Sequence, residues 1–158
     1  MDVYNINLYY MSEIIQGLWI GGDLSKVEQL SIKSFIDYGH EYHLYTYGDV
    51  GNIPNGTIVK DANEILPKDD IFTYKNGSYS AFSNLFRFTM LYKKGGYWAD
   101  TDLICVKKIT IEKPYVFVSE PNNDYSINIP TSCLIKLPKN SDVAEAAVLI
   151  QLEHKKLI

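Results

Sequence analysis

The sequence has no long apolar run: AAVLI at positions 146–150 is typical, and a membrane span needs about 20 such residues. A transmembrane helix is therefore not expected. It also lacks a basic stripe. Lys and Arg number 15 against 19 Asp and Glu, for a net charge of -4, and the lysines fall in scattered pairs, Lys93-Lys94, Lys107-Lys108 and Lys155-Lys156. Binding to nucleic acid rests on neutralising phosphates, so nucleic acid is not an expected partner. Cysteine is scarce. Cys105 and Cys133 stand in apolar segments without CxxC spacing, which reads as two small buried residues in a reducing compartment rather than as a disulfide or zinc site. The start MDVYNINLYYMSE has no basic head and no clean apolar centre, so no secretory leader is expected, and the cytoplasm is the expected location. No internal repeat, low-complexity tract or linker interrupts the chain. Its 158 residues, 46% hydrophobic and 22% charged, read as one globular domain, 1–158.

What is present alternates between strand and helix patterns. IIQGLWI (Ile14 to Ile20) reads as a buried strand ended by Gly21-Gly22. Ser25 with Glu28 three residues on forms a capping box, and Val27, Leu30, Phe35 and Tyr38 keep helical spacing until Gly39. EYHLYTY (Glu41 to Tyr47) and TIVKDA (Thr57 to Ala62) predict two further strands. A second helix is predicted from about Tyr79 to Lys94, closed by Gly95-Gly96. LICVKKI (Leu103 to Ile109), PYVFVSE (Pro114 to Glu120) and CLIKLP (Cys133 to Pro138) predict strands, and a last helix starts near Asp142. Such alternation predicts the α/β class, with a sheet of mainly parallel strands.

The chemistry concentrates around YWADTD. In an extended segment Asp100 and Asp102 point to one side while Thr101 faces away, so the two carboxylates can share one hard divalent cation, with positions left for water and phosphate oxygens. A calcium loop of the EF-hand kind is excluded, because Ile104 and Cys105 stand where it needs a third oxygen ligand and a glycine. An Asp-x-Asp arises about once by chance in a chain of this composition, so its setting carries the weight. It closes a predicted strand, where open α/β sheets place their ligands. The preceding helix carries Ser80, Ser83, Asn84 and Arg87 on one face of its first two turns. That face is either solvated or functional, and Arg87 is either a surface residue with a packed stem or a fork aimed at phosphate.

The stretch GSYSAFSNLFRFTMLYKKGGYWADTDLICVK, together with LWIGG near the start, resembles the DXD-containing sugar transferases. This group includes capsular-polysaccharide and α-1,4-glycosyltransferases, mannosyltransferases and the glucosylating bacterial toxins. Ser83, Arg87, Gly95, Gly96, Tyr97, Trp98, Asp100 and Asp102 match the family pattern in order and spacing, and the likeness runs from about Ile14 to Lys139. The resemblance implies the GT-A fold, a Rossmann-like mixed sheet flanked by helices. It implies a metal-dependent transfer, with retained anomeric configuration, from a nucleotide-diphosphate sugar, a UDP-sugar by preference, to a hydroxyl on a glycan or polysaccharide. Asp102 would hold Mn²⁺ or Mg²⁺ on the diphosphate, Asp100 would touch the metal shell or the ribose, and Arg87 would bind the diphosphate or donor sugar. Ser83 and Asn84 would line the donor site, and Trp19 would stack on the base, its alternative being a core residue of the first strand. Trp98 reads as core packing behind the metal.

Two departures stand out. Asn84 replaces the Asp usual in the family, which keeps an acceptor and adds a donor. The chain ends at HKKLI, where members of the family generally continue, so a C-terminal segment is expected to be lacking. His154 reads as a surface residue of the last helix rather than a substitute ligand. No nucleophile is identified; Glu120 and Asp124 are candidate general bases. Two alternatives follow: a module that binds a nucleotide sugar or glycan without turnover, and a metal-dependent nucleotidyltransferase. The second wants Gly-Ser about a dozen residues ahead of the carboxylates, whereas Gly77-Ser78 lies about twenty away.

Overall fold

The computed structural model describes residues 13–123 and 125–158; most of the N-terminal stretch read for a leader, and Asp124, lie outside the described residues. The elements run β1 (Ile15–Trp19), α1 (Lys26–Asp37), β2 (Tyr42–Thr46), β3 (Thr57–Asp61), α2 (Ser80–Lys94), β4 (Gly96–Ala99), β5 (Val116–Pro121), β6 (Asn128–Leu137) and α3 (Asp142–Lys155). The class is α/β, with a six-stranded mixed sheet in the order β3-β2-β1-β4-β6-β5. β3, β2, β1 and β4 are parallel, and β6 runs antiparallel to both β4 and β5.

Local sequence explains most boundaries. The Ser25 and Glu28 capping box forms as expected, with Glu28 Oε2 accepting from the Ser25 N–H at 2.7 Å. α2 stops at Gly95, whose φ of 70° suits glycine; a Cβ there would meet the Lys139 backbone nitrogen at 2.6 Å.

Alternation along the strands divides the core. Trp98, Leu18 and Tyr45 pack with Phe82, Phe86 and Met90 of α2 on one face, and Tyr97, Ala99, Ile15 and Tyr42 pack with Ile32 and Phe35 of α1 on the other. α3 packs on α2, contributing the buried Ala144.

The predicted strand Leu103 to Ile109 does not form. The chain turns at once, the Leu103 N–H donating to the Asp100 carbonyl at 3.3 Å, and side chains supply partners that a neighbouring strand would have provided. The Cys105 N–H donates to Ser34 Oγ at 2.8 Å and the Ile109 N–H to His40 Nε2 at 3.0 Å. Burial lowers the His40 pKa, so the ring is neutral, accepting from Ile109 through Nε2 while Nδ1 faces the Glu13 carbonyl at 3.3 Å.

Candidate functional site

Strand order reverses between β1 and β4: β2 and β3 extend from one side of β1, β4 and β6 from the other. At such a switch point the crevice beyond the carboxyl ends of the strands is open to a ligand. Here it is a cleft of ≈ 450 Å³, bounded by Leu18 and Trp19 at the end of β1 and by Trp98, Asp100, Thr101 and Asp102 at the end of β4. The first two turns of α2 form another wall through Ser80, Ser83, Asn84 and Arg87, so the polar face legible in the sequence lines the cleft.

Arg87 is the anchor. Its side chain is 7% exposed and both terminal nitrogens are engaged: Nη2 donates to Asp100 Oδ1 at 2.5 Å and Nη1 donates to Ser132 Oγ. The guanidinium also lies 5.1 Å from the Trp98 ring centre, and its buried Nε has no partner among the described residues. Arg87 is therefore neither a surface residue nor a free fork; its terminal nitrogens are turned onto the protein's own acceptors. Burial lowers its pKa, against the opposing field of Asp100. Asp100 takes a second hydrogen bond on the same oxygen from Trp98 Nε1 at 2.7 Å. Burial raises its pKa above the usual carboxylate value, against the lowering effects of Arg87 and Trp98. Trp98 is 1% exposed, so it is the core residue expected and, beyond that, a donor to the carboxylate.

The extended geometry expected for Asp100 and Asp102 is not adopted. Thr101 and Asp102 form a turn, because the chain bends to bring Leu103 and Cys105 onto the α1 side of the core, and Thr101 lines the cleft instead of facing away. Asp102 is exposed, and its carboxylate makes no hydrogen bond among the described residues. Ser83 and Asn84 are half-buried with equally uncommitted side chains. Trp19 is half-buried against the α1-side cluster and borders the cleft, its Nε1 donating to the Gly22 carbonyl at 2.8 Å.

The structure adds Glu28, Thr131, Ser132 and Cys133 to the lining. Ser132 and Cys133 lie in an irregularity of β6, with Thr131 at its edge: Phe117 pairs with Ile135 and Val118 with Thr131, leaving Ser132, Cys133 and Leu134 without counterparts on β5. Bulges of this kind re-aim side chains, and this one delivers Ser132 to Arg87, 45 positions away in sequence. No local pattern around Ser132 announces it. The expected general-base candidate Glu120 lies on β5, outside this lining, and His154 sits on α3 with its ring 6.0 Å from that of Tyr74.

The carboxylates of Asp100 and Asp102 are hard oxygen donors, which fits Mn²⁺ or Mg²⁺. Among the described residues no cluster of three or more His, Cys, Asp or Glu could hold an ion; a cation on the two carboxylates Asp102 and Asp100 would keep positions for water and phosphate oxygens. A second cleft of ≈ 480 Å³ lies at the opposite end of the strands, by Gln16 and Gly96, remote from the Asp-Thr-Asp turn.

Residues 25–126 match the family described as the glycosyltransferase sugar-binding region containing the DXD motif. The chain belongs to this family. Among solved structures, the glycosyltransferase PaToxG has the same fold, with a TM-score of 0.61 at 16% sequence identity. The match covers 92% of this chain and 62% of PaToxG, so the chain spans less than two thirds of that structure. No curated protein matches the sequence. In this member of the DXD family, Trp19, Ser83, Asn84, Arg87, Asp100 and Asp102 all border one cleft, although they come from two separate elements, β1 and α2, and the segment that turns after β4. No helix among the described residues is long and apolar enough to cross a membrane.

Proposed function

We propose that the chain acts as one nucleotide-sugar-binding domain of the GT-A type, transferring a sugar from a nucleotide diphosphate, a UDP-sugar by preference, to a hydroxyl on a glycan acceptor. The observation that carries this reading is the uncommitted Asp102 carboxylate at the switch-point cleft, beside an Asp100 held by Arg87 and Trp98. Glu28, Asp100 and Asp102 outnumber Arg87 there, so a bare diphosphate would meet net negative charge. A divalent cation on Asp102 and Asp100 reverses that balance and, when bound, neutralises charge on the departing diphosphate. The first turn of α2 lends the positive end of its dipole to the same cleft. Ser83 and Asn84 offer hydroxyl and amide groups to sugar hydroxyls, and Trp19 offers an aromatic face to the base. Retention of configuration belongs to this reading, and no residue is assigned as nucleophile. A cytoplasmic setting does too; the free Cys105 and Cys133 suit a reducing compartment.

The test is thermal unfolding of the wild type and Asp102→Asn with a panel of nucleoside diphosphates, each with and without Mn²⁺. Ligand at a hundred times its dissociation constant stabilises by about 2.7 kcal/mol, a rise of about 5–10 °C for a chain of this size. A Mn²⁺-dependent rise that Asp102→Asn loses supports the reading, and no shift with any nucleotide overturns it. The engagement of both terminal nitrogens of Arg87 within the protein, with Asn84 in place of an acid, favours a second reading, a module that holds the nucleotide sugar without turnover. Nucleotide binding with no release of free nucleoside diphosphate from a nucleotide sugar on adding acceptor distinguishes it.

A further inference from the structure

Among the described residues three acidic side chains line the switch-point cleft, and one of them stands apart. Asp100 and Asp102 follow β4, whereas Glu28 comes from the first turn of α1, the helix that follows β1 and Trp19 in the chain. No three acidic groups converge closely enough to hold an ion among the described residues, so Glu28 does not share a cation with the two aspartates. It is fixed at one oxygen and open at the other. Oε2 accepts from the Ser25 N–H at 2.7 Å, the reciprocal half of the capping box, while Oε1 makes no hydrogen bond among the described residues. The cap therefore holds a half-buried carboxylate at the cleft without consuming it.

A free carboxylate oxygen only accepts: it repels phosphate and carbonyl oxygens and suits hydroxyl donors. Asp100 is poorly placed to serve such donors. Its Oδ1 already accepts from Arg87 Nη2 at 2.5 Å and from Trp98 Nε1 at 2.7 Å, which leaves its other oxygen for a cation. We infer that Glu28 Oε1 accepts from the 2′- and 3′-hydroxyls of the donor's ribose and makes the cleft selective for ribonucleotides over their deoxy counterparts. The inference rests on the nucleotide-sugar reading above. The ribose is bonded to the base, so with the base on Trp19 the diol falls to the wall that β1 and α1 supply, and Glu28 is the acidic group of that wall. An acidic side chain is the usual partner of a ribose diol in nucleotide-binding α/β sheets, and one oxygen has two lone pairs for two hydroxyls.

Titration calorimetry of the full chain with UDP and with 2′,3′-dideoxy-UDP, each with Mn²⁺, tests this. The wild type is expected to bind UDP at least about tenfold more tightly, the loss of hydrogen bonds to a charged acceptor. Glu28→Ala is expected to bring the two ligands within about twofold of each other. Glu28→Gln keeps a carbonyl oxygen for the cap, so its thermal midpoint should stay unchanged, while its neutral amide retains only part of the preference. Removing the charge acts on both diphosphates alike and cancels in the ratio. A wild type that binds UDP and the dideoxy ligand equally overturns the inference alone, as does a preference that both variants keep, which would leave Glu28 a helix cap and nothing more. Binding of neither ligand overturns the nucleotide-sugar reading and this inference with it.

Discussion

Arg87 of α2 and Asp100 at the end of β4 form an ion pair of 2.5 Å, with the Trp98 indole donating to the same carboxylate oxygen. The pair ties the start of the family's metal motif to the helix that lines the other wall of the cleft. Removing either charge strands the other in a poorly solvated place.

Arg87→Ala is expected to lower unfolding free energy by about 3 kcal/mol, measured by urea denaturation. Arg87→Lys should recover only part of it, because an ammonium cannot span Asp100 and Ser132 as the guanidinium fork does. A loss under about 0.5 kcal/mol in Arg87→Ala would mean the pair does not hold the site together.

The chain has 2 tryptophans, and of these Trp98 is buried while Trp19 borders the cleft. Nucleoside diphosphate with Mn²⁺ is expected to quench the fluorescence of the wild type and of Trp98→Phe, and to leave Trp19→Phe nearly unchanged. Quenching that persists in Trp19→Phe would remove the stacking role.

His40 is neutral in the fold, its pKa held below the usual 6.5 by burial. The unfolded chain then binds the proton more readily than the native one. The stability His40 contributes is complete above 6.5 and is lost as pH falls from there through the lowered native value. His40→Gln should flatten that part of the stability profile between about pH 7 and pH 5. If the two profiles run parallel over this range, the neutral bridge between Glu13 and Ile109 is not what holds the 103–109 segment.

Gly95→Ala is expected to cost about 2 kcal/mol or more in the same urea assay, since the new Cβ would press on the Lys139 backbone at 2.6 Å in a left-handed conformation. A change below about 0.5 kcal/mol would show that the segment after β6 yields there.

Much of the frame was determined locally. Capping at Ser25 and Glu28, the glycine stop after α2, and the strands β1, β2 and β3 depend on neighbours within a few residues, so they are legible in the chain itself. The one-sided polar face of α2 is legible for the same reason: helical spacing alone sets Ser80, Ser83, Asn84 and Arg87 side by side. The sequence order of Asp100 and Asp102 behind an aromatic strand also marked where the cleft would lie.

Tertiary structure decided the rest. An apolar run such as Leu103 to Ile109 becomes a strand only if a neighbour offers a ladder, and here Ser34 and His40 took the backbone N–H groups first. Whether Arg87 faced solvent, phosphate or the protein depended on Ser132, brought in by a bulge on a strand that pairs antiparallel to β4. Spacing along the chain sets which side chains share an element's face, while pairing between distant elements sets what that face meets.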